Sequence, residues 1–289
     1  MDIDQTRTFL AIVAHGSFIE AAAQSHLTQS TISARVKRLE DELGARLFIR
    51  NRAGANLTPA GRRFLVYAKR LVLTADQALD EVGLSERFRA SLRIGGRIAL
   101  WENILPQWVG WMRQQTPDVL IRSEIGFEDD LMPRLIEGSL DIGLMYTPSH
   151  SPGLIVEHLF DETLVLVSSH SADQGPCDDY VYIDWGPGFY AQHAQHYPEL
   201  ERPSQTANIG WLAIQLILTN GGSCFLPDRL IAPLVATGQL HRIEPAPTFI
   251  QPSYVVYPRE SDNPVLARAL EGLRQLTDVK QTDFRLNAR

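Results

Sequence analysis

Apolar positions in the first sixty residues fall at helical intervals, separated by small polar residues suited to capping. Phe9, Leu10, Ile12 and Val13 mark a first amphipathic helix. Ser17, with Glu20 three residues later, forms an S-x-x-E capping pattern that predicts a second helix from Phe18. That helix carries the small run Ala21, Ala22 and Ala23, which lets a neighbour cross closely, and it gives way near Ser25 and His26. Thr28 caps a third helix, whose Ile32, Val36, Leu39 and Leu43 form a single inward stripe until Gly44 stops it. Leu47 to Arg52, a turn at Ala53-Gly54, and Asn56-Leu57 then read as a strand pair. Thr58 before Pro59 opens a long helix running to about Arg87. Its Phe64, Ala68, Leu71, Ala75, Ala78 and Val82 alternate in steps of four and three, and Leu65, Val72 and Leu79 widen the stripe. This is a heptad seam, and a stripe of that length left in water predicts dimerisation.

From Leu92 the pattern changes to short apolar runs alternating with helical periods. Strands are expected at Leu92 to Gly95, Val119 to Ile125 and Leu140 to Met145, with helices at 101 to 115 and 128 to 137 between them. Ile155 to Phe160 and Thr163 to Ser168 read as two further strands, the second crossing into another lobe. There the alternation repeats: strands at Tyr180 to Ile183, Ser204 to Asn208 and Cys224 to Leu226, and helices after Pro187, from Trp211 to Thr219 and after Pro227. Tyr254 to Tyr257 is the expected return crossing, the helix from Pro264 to Leu276 closes the first lobe, and a polar frayed tail follows Val279. Alternation of this kind implies parallel sheets covered by helices, and two lobes joined by two crossings make a cleft.

Charge divides the chain in the same place. Residues 26 to 70 hold ten Lys and Arg against three acids, inside a chain whose net charge is −7. Residues 1 to 90 sum to +3 and residues 91 to 289 to −10. A basic excess set against the global sign is a footprint for a polyanion. On the third helix the side opposite the apolar stripe presents Ser30, Ala34, Lys37, Arg38 and Asp41, with Thr28, Gln29, Thr31 and Ser33 in or beside its first turns. Glutamine pairs with adenine edges, hydroxyls reach bases or phosphates, and lysine and arginine neutralise phosphates.

Other classes find less support. A composition of 44% apolar and 21% charged residues is that of an ordinary globular protein. Leu212 to Leu218 is too short to span a bilayer, and Asp2 and Asp4 stand where a signal peptide needs basic charge, so a cytoplasmic protein is expected. Cys177 and Cys224 are too few for a disulfide framework or a zinc site. No G-x-S-x-G elbow occurs, Gly186-Pro187-Gly188 reads as a turn, and His193 and His196 lack a third metal ligand. No catalytic residue, metal or cofactor is expected. The alternatives are a regulator or architectural DNA-binding protein with no small-molecule effector, or an enzyme using the α/β domain; against the purely architectural one stand about 200 residues of acidic α/β sequence.

Residues 3 to 63 resemble the winged helix-turn-helix of LysR-type transcriptional regulators. The resemblance rests on Gly16-Ser17-Phe18, Ala21-Ala22, Leu27-Thr28-Gln29-Ser30, Leu39-Glu40, Leu43-Gly44, Leu47-Phe48 and Leu57-Thr58-Pro59-Ala60-Gly61. Two positions depart from the family pattern: Ser25 replaces a buried leucine, and Ala34 replaces a common arginine contact. In the second half, Gly138-x-x-Asp141-Ile142-Gly143-Leu144 and Asn220-Gly221-Gly222-x-x-x-Leu226-Pro227 resemble anchors of the family's effector domain, itself similar to periplasmic solute-binding proteins. The resemblance implies a winged helix-turn-helix domain at 1–58, a linker and dimerisation helix at 59–90 and a two-lobed α/β effector domain at 91–289. Lobe I would take about 91–162 and 258–289, and lobe II about 163–257. DNA contacts would fall to Thr28, Gln29, Ser30, Thr31, Ser33, Ala34, Lys37, Arg38 and the wing residues Arg50 and Arg52. Dimer contacts would fall to Phe64, Leu65, Ala68, Leu71, Val72, Leu79 and Val82. Effector contacts map to the loop Arg97, Ile98, Ala99 and Leu100 after the first strand and to Phe127, Glu128, Tyr146 and Asn208, and the charge of Arg97 points to an anion. The partners implied are double-stranded promoter DNA, a homodimer or homotetramer, and a small effector.

Overall fold

The computed structural model describes residues 1–51, 54–83, 87–102, 104–171, 175–176, 179–200 and 203–287; side chains are described for these except 50, 51, 80, 81 and 278–287. Arg52 and Cys177 lie outside the described residues, as does the side chain of Arg50. The chain divides into two compact units, residues 1–85 with 137–139 and residues 86–136 with 140–289.

The N-terminal unit runs α1 (Ile3–His15), α2 (Phe18–Gln24), α3 (Gln29–Leu43), β1 (Phe48–Asn51), β2 (Gly54–Leu57) and α4 (Pro59–Val82). Each helix starts at a cap. Asp2 and Gln5 form a reciprocal box at α1, Ser17 accepts from the Glu20 amide at α2, and Thr28 accepts from the Thr31 amide at α3. Gly16 and Gly44 close α1 and α3 in the left-handed conformation. The core is built on Phe9, Ile12, Phe18, Ile32, Val36, Leu39 and Phe48, and the Phe9 ring centroid lies 5.1 Å from those of both Phe48 and Phe64. Leu43, expected on the inward stripe, is 40% exposed. Ser25 is the C-terminal cap of α2, where an exposed small polar residue fits, while Leu27 packs against the core. The long helix stops at Val82, short of Arg87, with Gly83 immediately after.

The seam on α4 is shared between two environments. Phe64 and Ala68 are buried in the unit's own core and Leu65 packs against it, whereas Leu79 is 68% and Val82 88% exposed. This corrects the expectation of one seam facing a partner throughout: α1 covers the stripe's first turns.

The second unit runs β3 (Ala90–Gly96), α5 (Ile98–Trp101), α6 (Ile104–Gln115), β4 (Val119–Ile125), α7 (Glu128–Glu137), β5 (Ile142–Met145), β6 (Leu154–Ser168), β7 (Val181–Ile183), α8 (Pro187–His196), β8 (Gln205–Ala207), α9 (Gly210–Asn220), β9 (Ser223–Pro227), α10 (Asp228–Ala236), β10 (His241–Arg242), β11 (Phe249–Pro258) and α11 (Leu266–Asn287). The larger sheet has the order β10-β6-β11-β5-β3-β4, and β9 also pairs with β6. β3 is parallel to both β4 and β5, while β6 and β11 are antiparallel and pair from Leu154 to Leu164. Beyond Leu164, β6 pairs with β9 and β10 in the second lobe.

Two expected strands, Ile155 to Phe160 and Thr163 to Ser168, are therefore one. The acidic pair that broke the apolar pattern does not break the strand, because Glu162 is buried against Arg229 and Asp161 meets His158 at the surface. The return strand β11 is ten residues long, where four were expected, and α11 stays helical through Asn287, where a frayed tail was expected. Trp108 locks α6 to α11 by donating to the Ala269 carbonyl at 2.9 Å.

Lobe II encloses a histidine. His193 is 2% exposed, sits 2.8 Å from the Tyr180 hydroxyl and stacks on that ring among Phe189 and Phe225. Burial depresses its pKa, with Glu199 partly offsetting the shift, so the ring is held neutral. Below about pH 6.5 the unfolded chain takes up a proton that the folded one resists, so stability falls as pH drops. His193→Gln should flatten the fall in the denaturation midpoint between about pH 7 and about pH 5. Equal slopes for the two proteins would remove His193 from the acid response.

Candidate functional site

In the N-terminal unit the outward face of α3 is open. Gln29, Ser30, Ala34, Lys37 and Arg38 are exposed, and Thr31 and Ser33 are half-buried. Thr28 is exposed too, but its hydroxyl lies 2.8 Å from those of both Ser30 and Thr31 and accepts from the Thr31 amide, so it acts as the helix cap. Arg35 is directed elsewhere: it meets Asp4 at 3.0 Å and the Thr8 hydroxyl at 3.4 Å, tying α3 to α1.

The β1–β2 hairpin is fixed to α3 by a residue the sequence reading did not single out for a role. Glu40 is 7% exposed, and its Oε1 accepts from the Leu47 amide at 2.7 Å and the Phe48 amide at 3.3 Å. Its Oε2 accepts from Arg46 at 3.2 Å. The signal was its position four residues after Val36 on the inward flank, where an acid needs partners. From the other side, Ala55 donates to the Gly16 carbonyl at 2.8 Å. A side chain on Gly54, whose φ is +126°, would put its Cβ 2.5 Å from that same oxygen.

In the second unit a cavity of about 630 Å³ opens between the lobes. Lobe I lines it with Arg97, Phe127, Glu128, Asp129, Tyr146 and Thr147, and lobe II with Tyr182, Asp184, Trp185, Gly186, Pro187 and Tyr190. Of the expected effector residues, Arg97, Phe127, Glu128 and Tyr146 converge here. Ile98, Ala99, Leu100 and Asn208 do not line it. The segment after Arg97 is a helical turn, not a loop, and it sends Ala99 (2% exposed) and Leu100 (0%) into the core. Asn208 is exposed beyond β8. Trp101 donates to the Glu124 carbonyl at 2.8 Å and leaves the cavity open. The lobe II wall follows the carboxyl end of β7, where ligands of open sheets sit. Reading Gly186-Pro187-Gly188 only as a turn concealed it.

Arg97 is held inside the protein. Its Nη1 meets Glu128 Oε2 at 3.1 Å, and its guanidinium carbon lies 4.4 Å from the Phe127 ring centroid and 6.0 Å from that of Tyr146. The other oxygen of Glu128 accepts from the Tyr146 amide at 3.1 Å and the Thr147 amide at 3.3 Å. Among the charged lining residues one is basic and three are acidic, a balance that runs against the anion inferred from Arg97 alone.

Behind the cavity lies a buried ion pair. Arg229, from α10, donates its Nε to Glu162 at 2.8 Å, meets it again through Nη2, and donates Nη2 to the Ala99 carbonyl of lobe I at 2.7 Å. The Tyr146 hydroxyl donates to Glu162 at 3.2 Å. Burial and the Glu162 charge hold the Tyr146 phenol well above its ordinary pKa. Burial opposes the Arg229 charge, but Glu162 outweighs it and raises the guanidinium's pKa. Among the described residues no cluster of three or more His, Cys, Asp or Glu is placed to hold a metal, and His196 turns to the Gln192 carbonyl.

A winged helix-turn-helix followed by a long helix and a two-lobed α/β domain with a cavity between its lobes defines a ligand-responsive DNA-binding regulator. Residues 3–62 match the family described as bacterial regulatory helix-turn-helix protein, lysR family, and residues 85–277 match the LysR substrate binding domain. The HTH-type transcriptional regulator HdfR of Yersinia pestis (strain Pestoides F) is 32% identical over 282 residues, covering 93% of this chain and 95% of its own length. Two solved structures share the fold. Full-length CbnR, crystallised in complex with its target DNA, has a TM-score of 0.67 at 21% identity, with 96% of this chain and all of that one covered. DarR of Vibrio fischeri, in complex with DNA, has a TM-score of 0.59 at 20% identity, with 96% and 99% covered. The chain belongs to the LysR family of DNA-binding transcriptional regulators, with a C-terminal effector-binding domain, and is not an enzyme.

Removing one member of the buried pair leaves the other uncompensated, so Glu162→Gln should destabilise the second unit by about 3–5 kcal/mol. Arg229→Met in the same chain should restore much of that loss, read as a coupling term in chemical denaturation. Additive losses would show that the two side chains do not act together.

Proposed function

We propose that this regulator reads duplex promoter DNA through α3 and the β1–β2 wing, dimerises along α4, and alters its DNA complex when a small effector enters the cavity between its lobes. The observation that carries the reading is the open face of α3, where Gln29, Ser30, Lys37 and Arg38 stand exposed on a segment with a charge of +7. Gln29, Ser30 and Ser33 are assigned to base edges and nearby phosphates, Lys37 and Arg38 to phosphates, and Arg50 and Arg52 of the wing to the adjacent groove and backbone. Thr28, Thr31 and Ala34 shape the entry of the helix into the groove. Residues 1–58 serve as reader, 59–90 as linker and 91–289 as effector domain, with lobe II at about 163–257.

The CbnR and DarR structures, described as complexes with DNA, support the same use of the same fold. Work on promoter DNA places the protein in the cytoplasm. No helix among the described residues is long and apolar enough to cross a membrane. Leu71, Val72, Leu79 and Val82 continue the stripe that Phe64 and Ala68 begin, and a second copy covers what α1 does not reach. Homotetramers follow when two such dimers associate through their effector domains.

Footprinting on DNA upstream of the protein's own gene tests the reading. Lys37→Ala should weaken binding about equally on all sequences and lower the salt slope by about 1. Gln29→Ala should cost about 1–3 kcal/mol at one base position. A uniform loss for Gln29→Ala would remove it from base recognition. Leu79→Glu with Val82→Glu should separate the readers, and an unchanged sedimentation coefficient would exclude α4 as the dimer contact.

A further inference from the structure

The cavity between the lobes has two chemically similar walls, and one of them already holds a cation. On the lobe I wall the Arg97 guanidinium sits against the Phe127 ring and the Glu128 carboxylate. The lobe II wall offers the same chemistry, Tyr182, Tyr190 and the Asp184 carboxylate, without a basic group in the lining. Asp184 is exposed, and the charges of Asp184 and Tyr190 add to burial in pushing the Tyr182 phenol up to about 12.

Two longer helices begin at the cavity, and a helix start normally favours an anion. Here both are matched from within the chain. The first turn of α7 carries Glu128, Asp129 and Asp130. Ahead of α8, Asp184 accepts from the Gly186 amide at 3.0 Å, and Pro187, which has no amide proton, takes the first helical position. An anion entering the cavity would meet Asp129 and Asp184, while the one arginine is already paired.

We propose that the effector is a small organic cation, an alkylamine or quaternary ammonium compound. Its charged nitrogen lies on Asp184, with Asp129 on the facing wall, and the Tyr182 and Tyr190 rings supply cation–π faces. The proposal rests on the reading of this cavity as the effector site.

The test uses the full-length protein at constant ionic strength. Thermal melts are recorded with a series from methylamine to 1,6-diaminohexane, with choline, and with butanoate and succinate. At least one ammonium compound should raise the melting temperature, since a ligand bound only to the folded state stabilises it, and the carboxylates should not. Asp184→Asn should weaken that compound on the order of tenfold. Asp262→Asn, an exposed acid outside the cavity, should keep the full response. A shift with either carboxylate, no shift with any ammonium compound, or an undiminished shift in Asp184→Asn overturns the proposal. Gel shifts on the upstream DNA separate the two levels: a protein that binds no DNA overturns the regulator reading itself, whereas one that binds DNA but ignores every ammonium compound overturns only the ligand class.

Discussion

The effector domain depends on the antiparallel ladder between β6 and β11. β6 is fifteen residues long and takes part in two ladders, pairing with β11 from Leu154 to Leu164 and with β9 from Leu164 to Ser168. A strand shared between lobes must keep its pairing up to the change of partner at Leu164, and Asp161-Glu162 falls just before it, still paired with Pro252 and Gln251 of β11. An unpaired carboxylate buried there would cost several kcal/mol. Arg229 is the solution, because its Nε and Nη2 engage both oxygens of Glu162 and Nη2 also donates to the Ala99 carbonyl. One side chain from lobe II thereby satisfies the crossing strand and ties to lobe I. Tyr146, which faces the cavity, rests its hydroxyl on the same carboxylate.

The N-terminal unit solves a smaller version of the same problem. A two-stranded ribbon is marginal by itself, so this one is fastened at its root. Glu40 receives the amides of Leu47, just before the ribbon, and Phe48, its first residue, the Thr58 amide donates to the Leu47 carbonyl, and the Gly16 turn accepts from Ala55. The Phe9, Phe18, Phe48 and Phe64 rings then pack as one cluster joining α1, α2, the wing and α4. The polar face of α3 takes no part in this core, which frees its side chains for a partner.

Much of this was legible because local rules and tertiary structure agreed. Caps at Ser17, Thr28 and Thr58 and the stop at Gly44 lie within a few residues of the groups they satisfy, so the sequence alone placed the starts of α2, α3 and α4 and the end of α3, whereas the Asp2 and Gly16 caps of α1 went unread and α4 ends at Val82, short of Arg87. The strand at Val119–Ile125 and the helix at Glu128–Glu137 were also visible, being bounded by Pro117 and Gly138. What stayed hidden was set by distant partners. Glu162 reads as a strand breaker until Arg229, 67 positions later, is brought against it. Arg97 reads as a free cation until Glu128 and Phe127 close on it. Ala99 and Leu100 read as loop because α5 is a single turn, too short for periodicity to register. Half of the cavity escaped for the same reason: Tyr182 lies on a three-residue strand, Tyr190 on the helix after it and Asp184 in the connection between them, and only the assembled sheet fixes their position.

The location of the ion pair bears on how a ligand could act. A ligand shifts an equilibrium between lobe arrangements only through a difference in its affinity for them. Arg229 links α10 to Ala99 across the lobes, and Tyr146 links the same pair to the cavity wall, so a change in lobe angle must carry these bonds along or break them. Breaking them would expose buried charge, which makes intermediate angles unfavourable and favours discrete states over continuous flexing. A ligand that touches both walls feels that choice directly: Asp129 and Phe127 belong to lobe I, and Asp184 and Tyr190 to lobe II, so its contacts with the two sets coexist only in an arrangement that keeps the walls close. Charge adds to the same effect. Two acidic walls repel when brought together without a counterion, and a bound cation between them converts that repulsion into attraction, so the sign of the ligand and the direction of closure are coupled.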